Sequence, residues 1–406
     1  MKWAVLVPRF LPEKVGGNIT YVYGFSEHLS RYGHDVHVFT TTRDKNLAGY
    51  EEGPSGVKIH RIFVRRGNAG ALRFATRAKV TEKFLEIDKK IRFDILNTHS
   101  CFLIKCGRVR PDLRFIHTLH AVVTYEYLYS LKKIVTGRLL CPENLKELLL
   151  APLKSAVCFV LEAITLRKAE KIIVMSNYVK GTVLSFFPFI NEEKILVSRI
   201  GVDLSNFRPV SDKRSIRKSL RLNPEGIIFF TVRRLTPRMG LENLVKAFAI
   251  CREGNKDANL YLYIAGKGIL DKRLAGLIKK SGLHDQVSLL GFVPDENLYK
   301  YFQAADVFVL PSEELEGFGI VSIEALASGI PVIATPVGAN KEIAGSFCPE
   351  LVTSGTGARD IAEKMGYFIK KKERYGSVDY SERIKDRFSW TNITDEINKE
   401  IFPTLP

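Results

Sequence analysis

Two glutamates, Glu316 and Glu324, stand eight residues apart in the segment PSEELEGFGIVSIEALASGIPVIATPVGAN, Pro311 to Asn340. Gly317, Phe318, Gly319 and Ile320 lie between them, just past an expected strand at Val307–Leu310 and at the expected start of a helix. Small residues let the backbone approach a ligand closely. The first amides of a helix have no internal partner and carry partial positive charge, so they can hold a phosphate or a sugar hydroxyl. The spacing puts Glu316 at the lip and Glu324 about two turns down. Carboxylates at those two depths can each accept hydrogen bonds from a different sugar, a transferred hexose above and a nucleotide ribose below.

Other candidate residues follow other strands, where open α/β sheets bind ligands. Gly16 and Gly17 follow the first apolar run and could bring backbone amides against a diphosphate. Arg234 and Arg238, four apart after the run Ile227–Val232, could both reach a diphosphate and stabilise it as a leaving group without a metal. His99 and His120 each end an expected strand, in LNTHS and TLHA, where a neutral imidazole can hydrogen-bond a ligand.

The elements that must carry these residues alternate as short β-branched runs and longer segments of helical period, the pattern of βα units on a parallel sheet. In the first half strands are expected at Trp3–Val7, Asp35–Phe39, Asp94–Asn97, Phe115–Thr118, Lys171–Met175 and Lys194–Ser198. The second half restarts the pattern at Ile227–Val232, Leu260–Ala265, Val287–Leu290, Val307–Leu310 and Pro331–Ala334. The expected organisation is a Rossmann-like domain over 1–200, a polar linker with Gly and Pro over 201–213, a second Rossmann-like domain over 214–380, and a C-terminal helix over 381–406 packing back on the first domain. A chain of 406 residues agrees with two cores.

Six scattered cysteines (Cys101, Cys106, Cys141, Cys158, Cys251, Cys348) lack the spacing of a zinc site and fit reduced thiols in a cytosolic protein. The most apolar stretch, Leu148 to Ile164, is interrupted by Lys154, Ser155 and Glu162, so no membrane span is expected. The formal charge of +17 is lopsided: up to Ser205 the chain holds 32 Lys+Arg against 19 Asp+Glu, and beyond it 29 against 25. Such a field favours an anionic partner for the N-terminal half.

With these motifs in order, the chain resembles the retaining glycosyltransferases of family 4, whose hallmark Glu-x7-Glu is read here as Glu316-GFGIVSI-Glu324. The similarity extends through VGGNITYVYGFSEHLSRYGHDVHVFTT, KIIVMSNYVK, GVDLSNFRP, VRRLTPRMGLENLVKAF, YIAGKGIL and VSLLGFVPDENLYKYFQAADVFVLPS. The resemblance implies the GT-B fold, two Rossmann-like domains facing across a cleft, with the donor on the C-terminal domain and the acceptor on the N-terminal one. It implies a UDP- or GDP-sugar as donor, no cofactor, and transfer with retention at the anomeric carbon. Glu316 and His120 would stand beside the reacting sugar, and backbone groups at Phe292 would read the nucleobase edge. The diphosphate is assigned to an arginine and to a lysine just before a glycine; here the lysine's place is Met239, and Arg238 is expected to take over from next door. Ile200 replaces a usual asparagine before Gly201, so that loop is given no polar role. No Asp-x-Asp sequence occurs, and a metal-independent reaction is expected.

The basic N-terminal half has a specific candidate in Ala71–Asp94, where Val80, Phe84, Ile87 and Ile91 recur at helical spacing among Arg73, Arg77, Lys79, Lys83, Lys89 and Lys90. With Leu148–Ile164 it points to peripheral attachment on the cytoplasmic face of an anionic membrane and to a lipid-linked or membrane-borne acceptor. Two other functions fit parts of the sequence. An epimerase or phosphorylase can share the architecture. A nucleic-acid-binding protein would share the basic character, although no recognised motif for nucleic acid is present.

Overall fold

The apolar runs form strands because parallel sheets bury both faces. In Ile227–Val232 the four central residues are buried, and in Lys2–Leu6 all but the first are. The structure is a computed structural model of the 406-residue chain and describes residues 1–12, 16–47, 49–65, 69–135 and 149–401. Cys141, Val15, Leu148 and residues 402–406 of the sequence reading lie outside the described residues, as does the side chain of Arg73.

The first sheet comprises β1 (Lys2–Leu6), β2 (Asp35–Thr42), β3 (Gly49–Glu52), β4 (Lys58–Phe63), β5 (Ile95–Thr98), β6 (Arg114–Leu119), β7 (Lys171–Val174) and β8 (Ile195–Val197). Their order is β3-β4-β2-β1-β5-β6-β7-β8, and every pairing is parallel except that of β3 with β4. The second sheet holds β9 (Ile227–Val232), β10 (Leu260–Ala265), β11 (Val287–Gly291), β12 (Val307–Leu310) and β13 (Val332–Ala334) in the order β11-β10-β9-β12-β13, all parallel. In both sheets the order reverses beside the first strand, at β1/β5 and at β9/β12, which are the switch points where such sheets bind ligands.

Two strands, β3 and β4, add to the expected set. In β4 the polar His60 and Arg61 are buried because each finds a partner: His60 hydrogen-bonds His37 at 2.9 Å and stacks on Phe39, and Arg61 pairs with Glu51 of β3. All four residues of β3 are exposed, as suits a charged edge strand.

The chain divides into two compact units, Met1–Arg199 with Thr394–Pro406, and Ile200–Ile393. The stretch 201–213, expected as a linker, is built into the second unit. The Val202 amide donates to the Phe388 carbonyl at 2.9 Å, and Gln303 donates to the carbonyls of Asn206 and Arg208. Residues 381–393 also belong there, whereas the helix Trp390–Ile401 passes into the first unit, where the Tyr32 hydroxyl donates to Asp395.

The helix Ala69–Ile91 carries the expected stripe, and that stripe is spent on the core. Val80 and Phe84 are fully buried, Ile87 nearly so, and Ile91 packs at the edge of a cluster with Leu6, Phe39, Leu96 and Phe115. Among its basic residues, Arg77 donates to the Ile104 carbonyl at 2.8 Å and Lys83 pairs with Glu86 at 2.9 Å. The stripe of Val80, Phe84, Ile87 and Ile91 is therefore closed to a membrane. Because Phe84 packs on Phe39 and Phe93 without exposure, Phe84→Ala is expected to cost about 3–5 kcal/mol through the cavity it opens. Denaturant unfolding checks this, and a loss under ~1 kcal/mol would contradict the packing.

Candidate active site

At the switch point of the second unit, β12 ends at Leu310 and the chain runs through Pro311–Gly319 into the helix Ile320–Ala327. Gly319 caps that helix in the left-handed region at φ 77°, with no side chain capping its amides. Glu316 is buried. One of its oxygens accepts from Ser312 Oγ at 2.7 Å and from the Arg233 guanidinium. The backbone is held as firmly. The Ala339 amide donates to the Glu316 carbonyl at 2.8 Å, and Arg238 Nη1 donates to the Leu315 carbonyl at 2.8 Å. Leu315 has φ 59°, a conformation costing a non-glycine residue roughly 1–3 kcal/mol, and the Arg238 bond helps maintain it.

Glu324 stands inside the helix and is also buried, but its situation differs. Burial, then the nearby Asp295, pushes its carboxyl up to about 8. Its Oε2 has no hydrogen-bond partner among the described residues, and neither do the buried Ser322 Oγ and Asn340 Oδ1. Gly319 lies beside the last two of these atoms: a β-carbon there would be 3.5 Å from both Ser322 Oγ and Asn340 Oδ1. Buried polar atoms are ordinarily paired, so this group is suited to the hydroxyls of a ligand.

The expected donor residues fall around this centre in different ways. Arg234 is exposed just beyond β9, and Phe292, just beyond β11, is 53% exposed, which leaves its backbone as the group available to a base. Gly317 and Ile320 are half-buried, whereas Phe318 turns its ring into the core near Phe388 at 6.2 Å, so only its backbone can serve a ligand. Met239 is buried, and the cation lying against it is Arg233, whose Nη2 is 2.9 Å from the Met239 sulfur. Gly240 must be glycine: at φ 70° a β-carbon would fall 1.7 Å from the Pro311 carbonyl oxygen, so the two loops touch through backbone. The sequence reading missed Arg233 and Ser312. Strand alternation past Val232 carries the signal, since it turns Arg233 and Arg234 to opposite sides.

In the first unit the candidates again lie beyond strand ends. Gly16 precedes the helix Gly17–Arg31, whose N-terminus has neither a side-chain cap nor an acidic residue in its first turn. His99, after β5, and His120, after β6, are brought together, with His99 Nδ1 3.0 Å from His120 Nε2 and the rings stacked. Tyr21 meets both rings, edge-on to His120 at 5.2 Å. Burial, then the neighbouring His117, pushes His120 down to about 3, so it is neutral near pH 7. The turn after His120 is tied down by buried Glu162, which accepts from the amides of Val123 at 2.6 Å and Thr124 at 2.9 Å. Among the described residues, no group of three or more His, Cys, Asp or Glu is arranged to hold a metal ion, and no helix is long and apolar enough to cross a membrane.

Two family models match the chain, Glycosyltransferase Family 4 over residues 15–206 and Glycosyl transferases group 1 over residues 212–385. An uncharacterized glycosyltransferase of Methanocaldococcus jannaschii is 29% identical over 84% of this chain and 82% of its own length. Among solved structures, sucrose-phosphate synthase from Thermosynechococcus elongatus matches with TM-score 0.78 at 23% identity over 100% of both chains. HepE of Anabaena, in complex with UDP-glucose, matches with TM-score 0.70 at 17% identity over 99% of this chain and 100% of its own. At these identities the likeness to the two structures concerns the fold, which is GT-B.

The state of Glu324 generates a pH-dependent prediction. Its folded value near 8 lies above the ordinary 4.5, so the native chain holds a proton that the unfolded chain releases. That contribution to stability is present in full below the unfolded value and is lost as pH climbs toward 8. Glu324→Gln keeps a neutral side chain at every pH. The melting temperature of this variant is expected to pull ahead of the parent chain as pH rises from about 5 to 8. Parallel melting curves across that range would contradict a protonated buried carboxyl.

Proposed function

The chain belongs to glycosyltransferase family 4 and is a glycosyltransferase, and from that premise we propose that it moves a hexose-type sugar from a UDP- or GDP-sugar to an acceptor hydroxyl, with retention and without a metal. The observation that carries this reading is the pair Glu316 and Glu324, one held by Arg233 and Ser312 and the other with a buried oxygen left for a ligand, with the uncapped helix N-terminus between them. In this reading Glu316 touches the transferred sugar, Glu324 takes the ribose hydroxyls, and the amides from Gly317 to Ile320 receive hydroxyl or phosphate oxygens. Arg234 lies at the diphosphate and Phe292 offers backbone to the base. The first unit takes the acceptor, with neutral His120 and the backbone at Gly16 and Gly17 as its candidate ligand contacts. The anomeric C–O bond to the departing phosphate breaks while the acceptor oxygen bonds to the same face of that carbon, and the acceptor proton passes to the leaving phosphate. The protein contributes position and fixed charge.

We also place the acceptor on an anionic membrane surface. The support lies in the helix Ala151–Lys168, where Leu153, Val160 and Ile164 are 65%, 50% and 46% exposed at helical spacing, beside exposed Arg167 and Lys168.

Glu316→Gln tests the catalytic assignment while keeping an amide oxygen that can still accept a hydrogen bond from Arg233. Transfer from the best donor in a panel of nucleotide sugars is expected to fall roughly 100-fold or more, while the variant still unfolds cooperatively, at a lower melting temperature because buried Arg233 loses its counter-charge. Unaltered turnover would remove Glu316 from the reaction. NMR of the products separates transfer from epimerisation and reports the anomeric configuration. For the membrane, co-sedimentation with vesicles is expected to rise with anionic lipid, fall with salt, and weaken in a Leu153→Glu, Val160→Glu variant. A chain that stays in the supernatant at low salt would point to a soluble acceptor.

A further inference from the structure

Arg233 is the first residue past β9, and β9 is the strand at which the order of the second sheet reverses. Its neighbour across the reversal is β12, whose continuation supplies Ser312 and Glu316, so the guanidinium spans the switch point. The side chain is only 8% exposed. Its contacts are one-sided: Nη2 serves Ser312 Oγ at 3.1 Å, the Met239 sulfur at 2.9 Å and the Glu316 carboxylate. Nε is buried without a partner among the described residues. An arginine offers five N–H donors in a planar fork and keeps its charge at every working pH. A buried guanidinium with an unused donor, at the phosphate-binding end of a parallel sheet, is built for a second anion.

The neighbours narrow the choice of that anion. Arg238 has Nη1 committed to the Leu315 carbonyl at 2.8 Å, and Met239 is neutral. A second buried cation at Met239 would sit against Arg233 and repel it, whereas a thioether leaves room for one charge.

We propose that Arg233 is a further donor-binding residue, which takes the terminal phosphate of the bound nucleoside diphosphate through its free edge while Nη2 holds Glu316 in place. This rests on the nucleotide-sugar reading above, and it makes Arg233 the link between the leaving phosphate and the carboxylate assigned to the sugar. The same residue would then serve leaving-group departure and sugar orientation together.

The test is calorimetric binding of UDP, GDP, UMP and GMP to the full chain, to Arg233→Met, to Met239→Lys and to the double variant. The parent chain is expected to prefer one diphosphate over its monophosphate. Arg233→Met should weaken that diphosphate roughly 10- to 100-fold and leave the monophosphate nearly unchanged, since the lost charge faces only the second phosphate. Met239→Lys alone should bind no better and melt lower, because two cations are in contact. The double variant moves the charge across the 2.9 Å contact and should recover diphosphate binding to within about 10-fold.

Diphosphate affinity unchanged in Arg233→Met, with transfer lost, would overturn the proposal and leave Arg233 as a positioning residue for Glu316. Equal losses for mono- and diphosphate would overturn it as well. Should Arg233→Met fail to fold, a folded double variant without diphosphate preference overturns it. A parent chain that binds none of the four nucleotides would instead strike down the donor reading itself, an outcome distinct from the others.

Discussion

A carboxylate removed from water must be given a partner or give up its charge, and the C-terminal unit applies that constraint twice within one short stretch of chain. Glu316 receives Ser312 and Arg233 and is thereby tied to the ends of both central strands, β12 and β9. Much of the loop geometry depends on this tie. Gly240 lies flat against the Pro311 carbonyl, the Ala339 amide reaches the Glu316 carbonyl, and Arg238 props Leu315 in a left-handed conformation. Glu324, eight residues on, receives no comparable partner for its Oε2 among the described residues and retains its proton to about 8. Placing two acids of one helix-loop element in unlike surroundings lets them take unlike tasks. One is fixed by its neighbours; the other keeps a buried oxygen without a partner among the described residues.

The frame beneath this element is also electrostatic. Asp306, at the foot of β12, accepts from Arg217 at 2.8 Å and from the Ile228 amide of β9 at 2.8 Å, so the two strands that carry the site are joined at both ends by buried charge. Breaking a buried pair on one side is costly, about 3–5 kcal/mol. Such fastening holds the ends of β9 and β12 in register. In the first unit the equivalent fastening is the Glu162 carboxylate on the turn that follows His120.

Most of the strands were legible because parallel strands buried on both faces are written as unbroken apolar runs; Ile227–Val232, Leu260–Ala265 and Val307–Leu310 coincide with β9, β10 and β12 to the residue. Strand β4 was not legible. Its buried residues include a histidine and an arginine that become tolerable only through His37 and Glu51, partners that no local pattern reveals. The segment 201–213 reads as a polar linker because its composition is polar, yet its backbone is satisfied by Gln303 and Phe388, both distant in sequence. At the site, Glu316, Glu324 and the glycines were visible from spacing alone. Arg233 was masked by its neighbour Arg234, since only the fold decides which of two adjacent arginines turns inward. The pairing of His99 with His120 was equally hidden, because two strand ends 21 residues apart meet only once β5 and β6 lie side by side.

The central claim is that the second unit receives a nucleoside diphosphate between the ends of β9 and β12 and the start of the helix Ile320–Ala327. Hydrogen exchange of backbone amides, read by mass spectrometry with and without saturating nucleoside diphosphate, tests it without reference to turnover. The account predicts slowed exchange in peptides covering residues 232–240 and 316–324, where loop and helix-start amides would be shielded, and little change in the β3–β4 edge of the first unit. Protection confined to other segments, with those two peptides unchanged under saturation, would contradict it.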